Sequence, residues 1–277
     1  MLKILAGIVT FNPDLGRLEE NINAVVNQVD DLIIVDNGSD NLSEIKRKFT
    51  TIKIIELNEN LGIACALNKI GVYAIEHQFD WFLTLDQDTI VKKELIATYK
   101  QYKDLLRAGM LTCLFQDLNK EKVVETDKDY EVVEKCITSA ALMKTEIFKN
   151  SDGFDEQMFI DLVDYDINYH YSQLGYYTYR INKLGFYHEV GNAKQKKLFG
   201  KVFYVYNHSA FRKYYMIRNA LYLDRKYGKD ITKGNTAFIR DEFIRVLLFE
   251  SEKRQKLLAM IKGLRDGLMM KVKRNED

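Results

Sequence analysis

A single proline, Pro13, stands in the whole chain of 277 residues, so no proline-rich linker marks a domain boundary. Cysteine is nearly as scarce. Cys65, Cys113 and Cys136 are odd in number, far apart and at no metal-ligand spacing, which argues against a disulfide framework. They read as small buried hydrophobes in a reducing cytosol. Net charge is missing too: 41 Lys and Arg against 40 Asp and Glu leave +1, without the basic excess that marks a nucleic-acid binder. No apolar stretch approaches the roughly 20 residues needed to cross a bilayer. The opening MLKILAGIVTF lacks a small-residue cleavage site and runs into polar, acidic sequence. No secretory signal is expected, and the cytoplasm is the expected location. The first turn, TFNPDLGRL, has no glycine-rich phosphate loop. That discards a nicotinamide dehydrogenase and a nucleotidyltransferase.

The chain is long enough to build a substantial core, as one large domain or as one domain with an appendage. Its first hundred residues alternate short apolar runs with stretches of helical periodicity. LKILAGIV, DLIIVD, IKIIEL and WFLTL read as buried strands. Residues 14–28, 62–77 and 94–106 read as the helices between and after them. This rhythm predicts an α/β fold, a mostly parallel sheet with helices on both faces. In such sheets ligands sit beyond the carboxyl ends of the strands. Thr10, Asp36, Asn58, Asn60, Asp86 and Asp88 all fall at those ends and are expected to share one rim. Beyond residue 110 the pattern loosens into strands and loops. A helix is expected within 154–174 and a strand over 176–188, ending at His188, and from about 209 the chain reads as helical. No internal repeat or low-complexity segment is present.

The run WFLTLDQDTIV ends on two aspartates one residue apart. Such a pair brings two carboxylates within reach of one divalent cation, and hard oxygen ligands suit Mg2+ or Mn2+. A solvated turn capping the next helix is the competing reading. An EF-hand is excluded, because Val91 occupies the position where that loop needs glycine. Asp36-Asn37-Gly38-Ser39 offers an acceptor and an amide for a base or ribose, or is a plain β-turn. Asn60-Leu61-Gly62 opens a helix whose free amides favour an anion, or is an ordinary cap. Asp161, Asp164 and Asp166 crowd one short stretch, either as a solvated face or as a source of a general base.

Taken in order, GIVTFNP, IIVDNGSD, NLGIACALN, LTLDQDT and DLVDYDINYHYSQLGY resemble the inverting GT-A glycosyltransferases of family 2. The resemblance spans roughly residues 3–223. Within the family, NPD after the first strand, LDQDT and HSAFRKYYMIRN (208–219) are similar to the bacterial rhamnosyltransferase branch. The resemblance implies a Rossmann-like GT-A domain over residues 1–215 and a helical extension over 216–277. It places Thr10, Asp36 and Asn37 at the nucleotide pocket, with Asn60 among the donor-binding residues. Asp86 and Asp88 match the metal–diphosphate motif for Mn2+ or Mg2+, Asp86 facing donor and metal alike, and His188 matches a histidine that completes the metal shell. The family's Glu-Asp-x-Asp reads Val163-Asp164-Tyr165-Asp166 here, so the base position is kept as Asp164 while the first acid is absent. His170 stands where the family commonly has arginine. The implied reaction transfers a sugar, L-rhamnose from dTDP-β-L-rhamnose, to a saccharide or lipid-linked saccharide in cell-surface polysaccharide synthesis. UDP-galactose or UDP-glucose is the alternative donor, and a non-catalytic sugar-nucleotide or glycan-binding protein is the alternative class.

At the C-terminus, residues 238–274 combine helical apolar spacing with Lys253, Arg254, Lys256, Lys262, Arg265, Lys271, Lys273 and Arg274. A basic amphipathic helix of this kind lies at an anionic membrane surface, or packs on its own protein with a solvated basic face. The first reading makes the protein peripheral at the inner face of the cell membrane. The aromatic C-terminal region also offers a face to a second copy, as a homodimer.

Overall fold

The computed structural model describes residues 2–117, 123, 128–188, 194–198 and 201–272. It divides into two compact units: Met1–Phe159 with Val163–Val190, and Ile160–Leu162 with Gly191–Asp277. The division expected at residue 215 falls inside a helix, and the units part instead near residue 190.

The first unit is built on one sheet. Its strands are β1 (Ile4–Thr10), β2 (Asp31–Asp36), β3 (Lys53–Glu56), β4 (Trp81–Asp86), β5 (Ile90–Val91), β6 (Ala108–Asp117), β7 (Tyr130–Val133), β8 (Ala141–Lys144) and β9 (Tyr177–His188). Helices α1 (Leu15–Val25), α2 (Leu42–Lys48), α3 (Ile63–Glu76), α4 (Leu95–Tyr102), α5 (Thr145–Lys149) and α6 (Val163–Gln173) connect or flank them. The strand order is β3-β2-β1-β4-β8-β6-β9-β5, with β7 also paired to β9. The first four strands of that order run parallel, as the βα rhythm requires. Beyond them the sheet is mixed, because β8 runs antiparallel to both β4 and β6. β1 is buried along its whole length, as the centre of a two-faced sheet must be.

In the second unit, β10 (Lys194–Leu198) and β11 (Lys201–Val205) form a hairpin that the sequence reading lacks. The helices α7 (Ala210–Tyr227), α8 (Lys229–Thr232), α9 (Thr236–Phe249) and α10 (Lys253–Met269) follow. α10 lies against α7 so closely that a Cβ at Gly263 would stand 2.6 Å from the Tyr214 carbonyl oxygen, and one at Gly267 2.6 Å from that of Arg218. Ile217, Ala220, Val246 and Met260 close the core between the helices. No helix among the described residues is long and apolar enough to cross a membrane.

Two cations are sealed inside this unit. Lys213 Nζ donates to Glu242 at 2.6 Å and to Glu250 at 2.7 Å. Lys256 Nζ donates to the other Glu250 oxygen at 2.9 Å and to Asn207 at 2.7 Å. Both lysines are 1% exposed, so Lys256 is removed from the basic surface expected of the C-terminus. Lys273 and Arg274 lie outside the described residues. Removing one member of such a cluster strands its partners: Lys213→Ala should destabilise the second unit by about 3–5 kcal/mol, read from denaturant unfolding followed by a probe in α7–α10.

Candidate active site

Register alone assembles the rim. Thr10 stands opposite Asp36, and Val9 opposite Asp86, so the carboxyl ends of β2, β1 and β4 lie side by side. There Asp36 is fully buried and accepts from Thr10 Oγ1 at 2.9 Å, from the amides of Gly38 and Ser39, and from Ser39 Oγ. Four donors satisfy a carboxylate that burial would otherwise make expensive. Asn37 reaches across to the start of α3, its Oδ1 accepting from the Leu61 amide and its Nδ2 donating to Asn60. Asn60 also accepts from the Gly62 amide, and the Ile63 amide donates to the Phe159 carbonyl at 2.7 Å. The anion-binding reading of this helix start is corrected for these three amides, which are spent inside the protein. As folded, Thr10, Asp36, Asn37 and Asn60 form one hydrogen-bonded brace that shapes the rim.

Asp86 and Asp88 are held differently. Their backbone is pinned: Asn21 Nδ2 donates to the Asp86 carbonyl at 2.7 Å, Arg17 Nε to the Asp88 carbonyl at 3.1 Å, and the Asp86 amide donates to Ser139 Oγ. The intervening Gln87 turns aside and accepts from the Phe11 amide. The two carboxylates face the end of β9. There His188 Nε2 lies 3.9 Å from Asp86 Oδ2, and Nδ1 lies 3.6 Å from Asp88 Oδ1. Thr89 Oγ1, 3.0 Å from Nδ1, steadies the ring. Ligand atoms from all three side chains fall within 4.8 Å of one another.

Octahedral neighbours around an ion with bonds of about 2.1 Å stand about 3 Å apart, so one His188 nitrogen and the two carboxylates, within 4.8 Å of one another here, would draw together on an ion. Two carboxylates and an imidazole fit Mn2+ more readily than Mg2+, which prefers an all-oxygen shell. The electrostatics point the same way. Asp86 is pushed up to about 6, chiefly by desolvation; nearby Asp164 and Asp88 raise it further, while His188 opposes them. A divalent cation would relieve that concentration of negative charge.

Asp164 opens α6, and its Oδ1 accepts from both the amide and the hydroxyl of Thr138. The next residue, Ser139, carries the Asp86 amide and meets Thr89 Oγ1 at 2.6 Å. One dipeptide thus ties the DQD turn to the acid at the head of α6. Thr138 and Ser139 escaped the sequence reading, since two small hydroxyl residues in a loop carry no periodic signal. Asn21 was more legible, as a fully buried polar residue among Leu18, Ile22 and Val25 on the packed face of α1. The three crowded acids separate by environment. Asp161 pairs with Arg212, Asp166 is buried, and Asp164 is the one coupled to the carboxylate pair. His170 is buried as well.

The HSAFRKYYMIRN segment belongs to the second unit. Ser209 caps α7, and Asn219 Nδ2 donates to the carbonyls of Ile160 and Asp161 at 2.8 Å each. The His208 imidazole stacks on Tyr206 and is pushed down to about 4, by burial first and by the Arg212 cation second.

Residues 6–121 match the model of Glycosyl transferase family 2. The dTDP-rhamnosyl transferase RfbF of Shigella flexneri is 29% identical over 245 residues, 80% of this chain and 80% of its own length. Among solved structures, TarS 1–349 of S. aureus superimposes with a TM-score of 0.56 at 15% identity, covering 96% of this chain and 81% of that one. GalNAc-T7 with UDP, GalNAc and Mn2+ gives 0.62 at 13% identity, covering 98% of this chain and 56% of that one. These neighbours share the GT-A fold.

The raised Asp86 carboxyl has a measurable consequence. Its native state holds the proton more tightly than the unfolded chain does, so stability is lost as pH rises from 3.8 through about 6. In EDTA above pH 6, Asp86→Asn should melt at a higher temperature than the parent. The gap should close as pH falls toward 3.8.

Proposed function

From the premise that this chain is a glycosyltransferase carrying a family 2 domain, we propose that it transfers L-rhamnose from dTDP-β-L-rhamnose to a saccharide hydroxyl, with inversion. The observation that carries the reading is the division of labour among the acids. Asp86, Asp88 and His188 converge on one point, while Asp164 stands apart from that cluster yet close enough to raise Asp86. The first group suits a metal–diphosphate site and the second a general base. The rhamnosyl donor is favoured by the Shigella relative. UDP-galactose or UDP-glucose is the second reading, favoured by solved neighbours that hold UDP-GlcNAc and UDP.

Asp86, Asp88 and His188 would hold Mn2+, which supplies charge neutralisation for the diphosphate as it leaves. The remaining chemistry belongs to the chain. Thr138 orients the Asp164 carboxylate by two hydrogen bonds, leaving it to accept the proton of an acceptor hydroxyl. The hydroxyl oxygen forms its bond to the anomeric carbon from the face opposite the nucleotide. The bond from that carbon to the phosphate oxygen breaks, and its electron pair departs with the diphosphate. One displacement turns a β-L-rhamnosyl donor into an α-L-rhamnoside, without a covalent enzyme intermediate. The acceptor is expected to be a saccharide, lipid-linked or free, of a cell-surface polysaccharide.

Thermal-shift titration across nucleotide sugars with Mn2+ should single out dTDP-rhamnose, and the shift should collapse in Asp88→Asn. A larger shift with a UDP-hexose would select the second donor, and no shift with any nucleotide sugar would refute both. Asp164→Asn should lower sugar transfer by about 10²–10⁴-fold while donor binding survives. Retained transfer would remove Asp164 from the base role.

A further inference from the structure

α10 has two faces of opposite character. Lys256, Met260, Gly263 and Gly267 are buried along one side, where the helix lies on α7. The outward side is exposed among the described residues and is unusually apolar: Leu258 is 60% exposed, Ile261 56%, Leu268 60% and Met269 69%. Single exposed leucines are ordinary, but four on one helix face make a patch. At 3.6 residues per turn these four span an arc of about 100°, and Arg254, Lys262 and Arg265 interleave with them or border them. All three cations are exposed. The acid nearest the arc, Asp266, lies off its edge, where it accepts from Tyr214 and Arg265. Exposed Leu247 and Leu248 end α9, and exposed Lys271 follows α10.

We propose that this outward face of α10 is a docking surface for an anionic lipid bilayer, on which the helix lies parallel to the membrane plane. An interfacial helix needs apolar side chains to enter the acyl boundary and cations to meet lipid phosphates around them. The arc carries both, and long cationic side chains can rise to the headgroups while leucines descend. A second copy is the poorer partner. In a two-fold interface the same patch meets itself, so Arg254, Lys262 and Arg265 would face their own like charges. A water-facing role leaves the four large apolar side chains unexplained. Docking requires no spanning segment, in keeping with the absence of a membrane-crossing helix among the described residues. It does not depend on which donor or acceptor the catalytic unit takes.

Flotation of the full-length protein with vesicles tests the surface directly. The chain should rise with phosphatidylcholine vesicles containing phosphatidylglycerol, remain behind with phosphatidylcholine alone, and detach at high salt. Combined Arg254→Gln, Lys262→Gln and Arg265→Gln should cut partitioning on the order of a hundredfold. Leu258→Ser with Ile261→Ser should also release the protein, at unchanged salt dependence of the remainder. Circular dichroism and donor hydrolysis should match the parent in both variants, since every substituted side chain is exposed and none belongs to the proposed catalytic or metal-holding set. Failure of the parent to float with anionic vesicles overturns the proposal, as does equal flotation of parent and variants. A dimer that light scattering detects, and that the leucine and isoleucine changes dissolve, would assign the face to a second copy instead.

Discussion

Negative charge crowded at one sheet edge must find partners, and that requirement organises the functional end of the sheet. Parallel register brings β1, β2 and β4 to a common edge and delivers their acids together. Each acid meets the demand differently. Asp36 gathers four hydrogen-bond donors and becomes part of the frame. Asp164 takes two donors from Thr138 on one carboxylate oxygen. Asp86 and Asp88 have the His188 imidazole within 4 Å. A neutral or singly charged imidazole is too little for two carboxylates beside a third. Desolvation first, and the neighbouring Asp164 and Asp88 after it, push Asp86 up to about 6 against the opposing pull of His188, and the pair suits a divalent ion.

The supports of this cluster come from distant parts of the chain. Asn21 and Arg17 on α1 fix the DQD backbone, Ser139 fixes its amide, and Thr89 steadies His188. The DQD backbone is held by these contacts, while among the described residues the two carboxylates face His188. A site assembled in this way is preorganised for charge that arrives with a substrate. The Thr138-Ser139 pair links the DQD turn to Asp164, the acid proposed to take the acceptor proton.

Much of this was legible beforehand, for identifiable reasons. Apolar runs bounded by polar residues located β1, β2 and β4, and the rule that ligands sit at carboxyl ends placed Thr10, Asp36 and Asp86 on one rim. Strand direction was not legible beyond β4. An apolar run such as ALMK reads alike in either direction, so the antiparallel β8 and the mixed half of the sheet emerge only from pairing. Hydrogen-bond saturation was also invisible. Nothing in Asn60-Leu61-Gly62 says that its amides are already spent. The helical C-terminus was readable by period, but the burial of Lys256 in an ion cluster, against the exposure of Arg254 and Lys262, follows only from helix packing.

The two units thus answer different physical demands. One concentrates negative charge at a sheet edge, and the other hides its charged cluster while presenting a basic, apolar helix face. The central claim is that the carboxylate deficit at Asp86 and Asp88 is a metal site that works with a nucleoside diphosphate. Anomalous diffraction at the manganese edge, from crystals grown with Mn2+ and dTDP, tests it most directly. The account predicts one strong peak among Asp86, Asp88 and His188, beside the bound diphosphate. Bound dTDP with no manganese at these side chains, or manganese seated elsewhere, would contradict it.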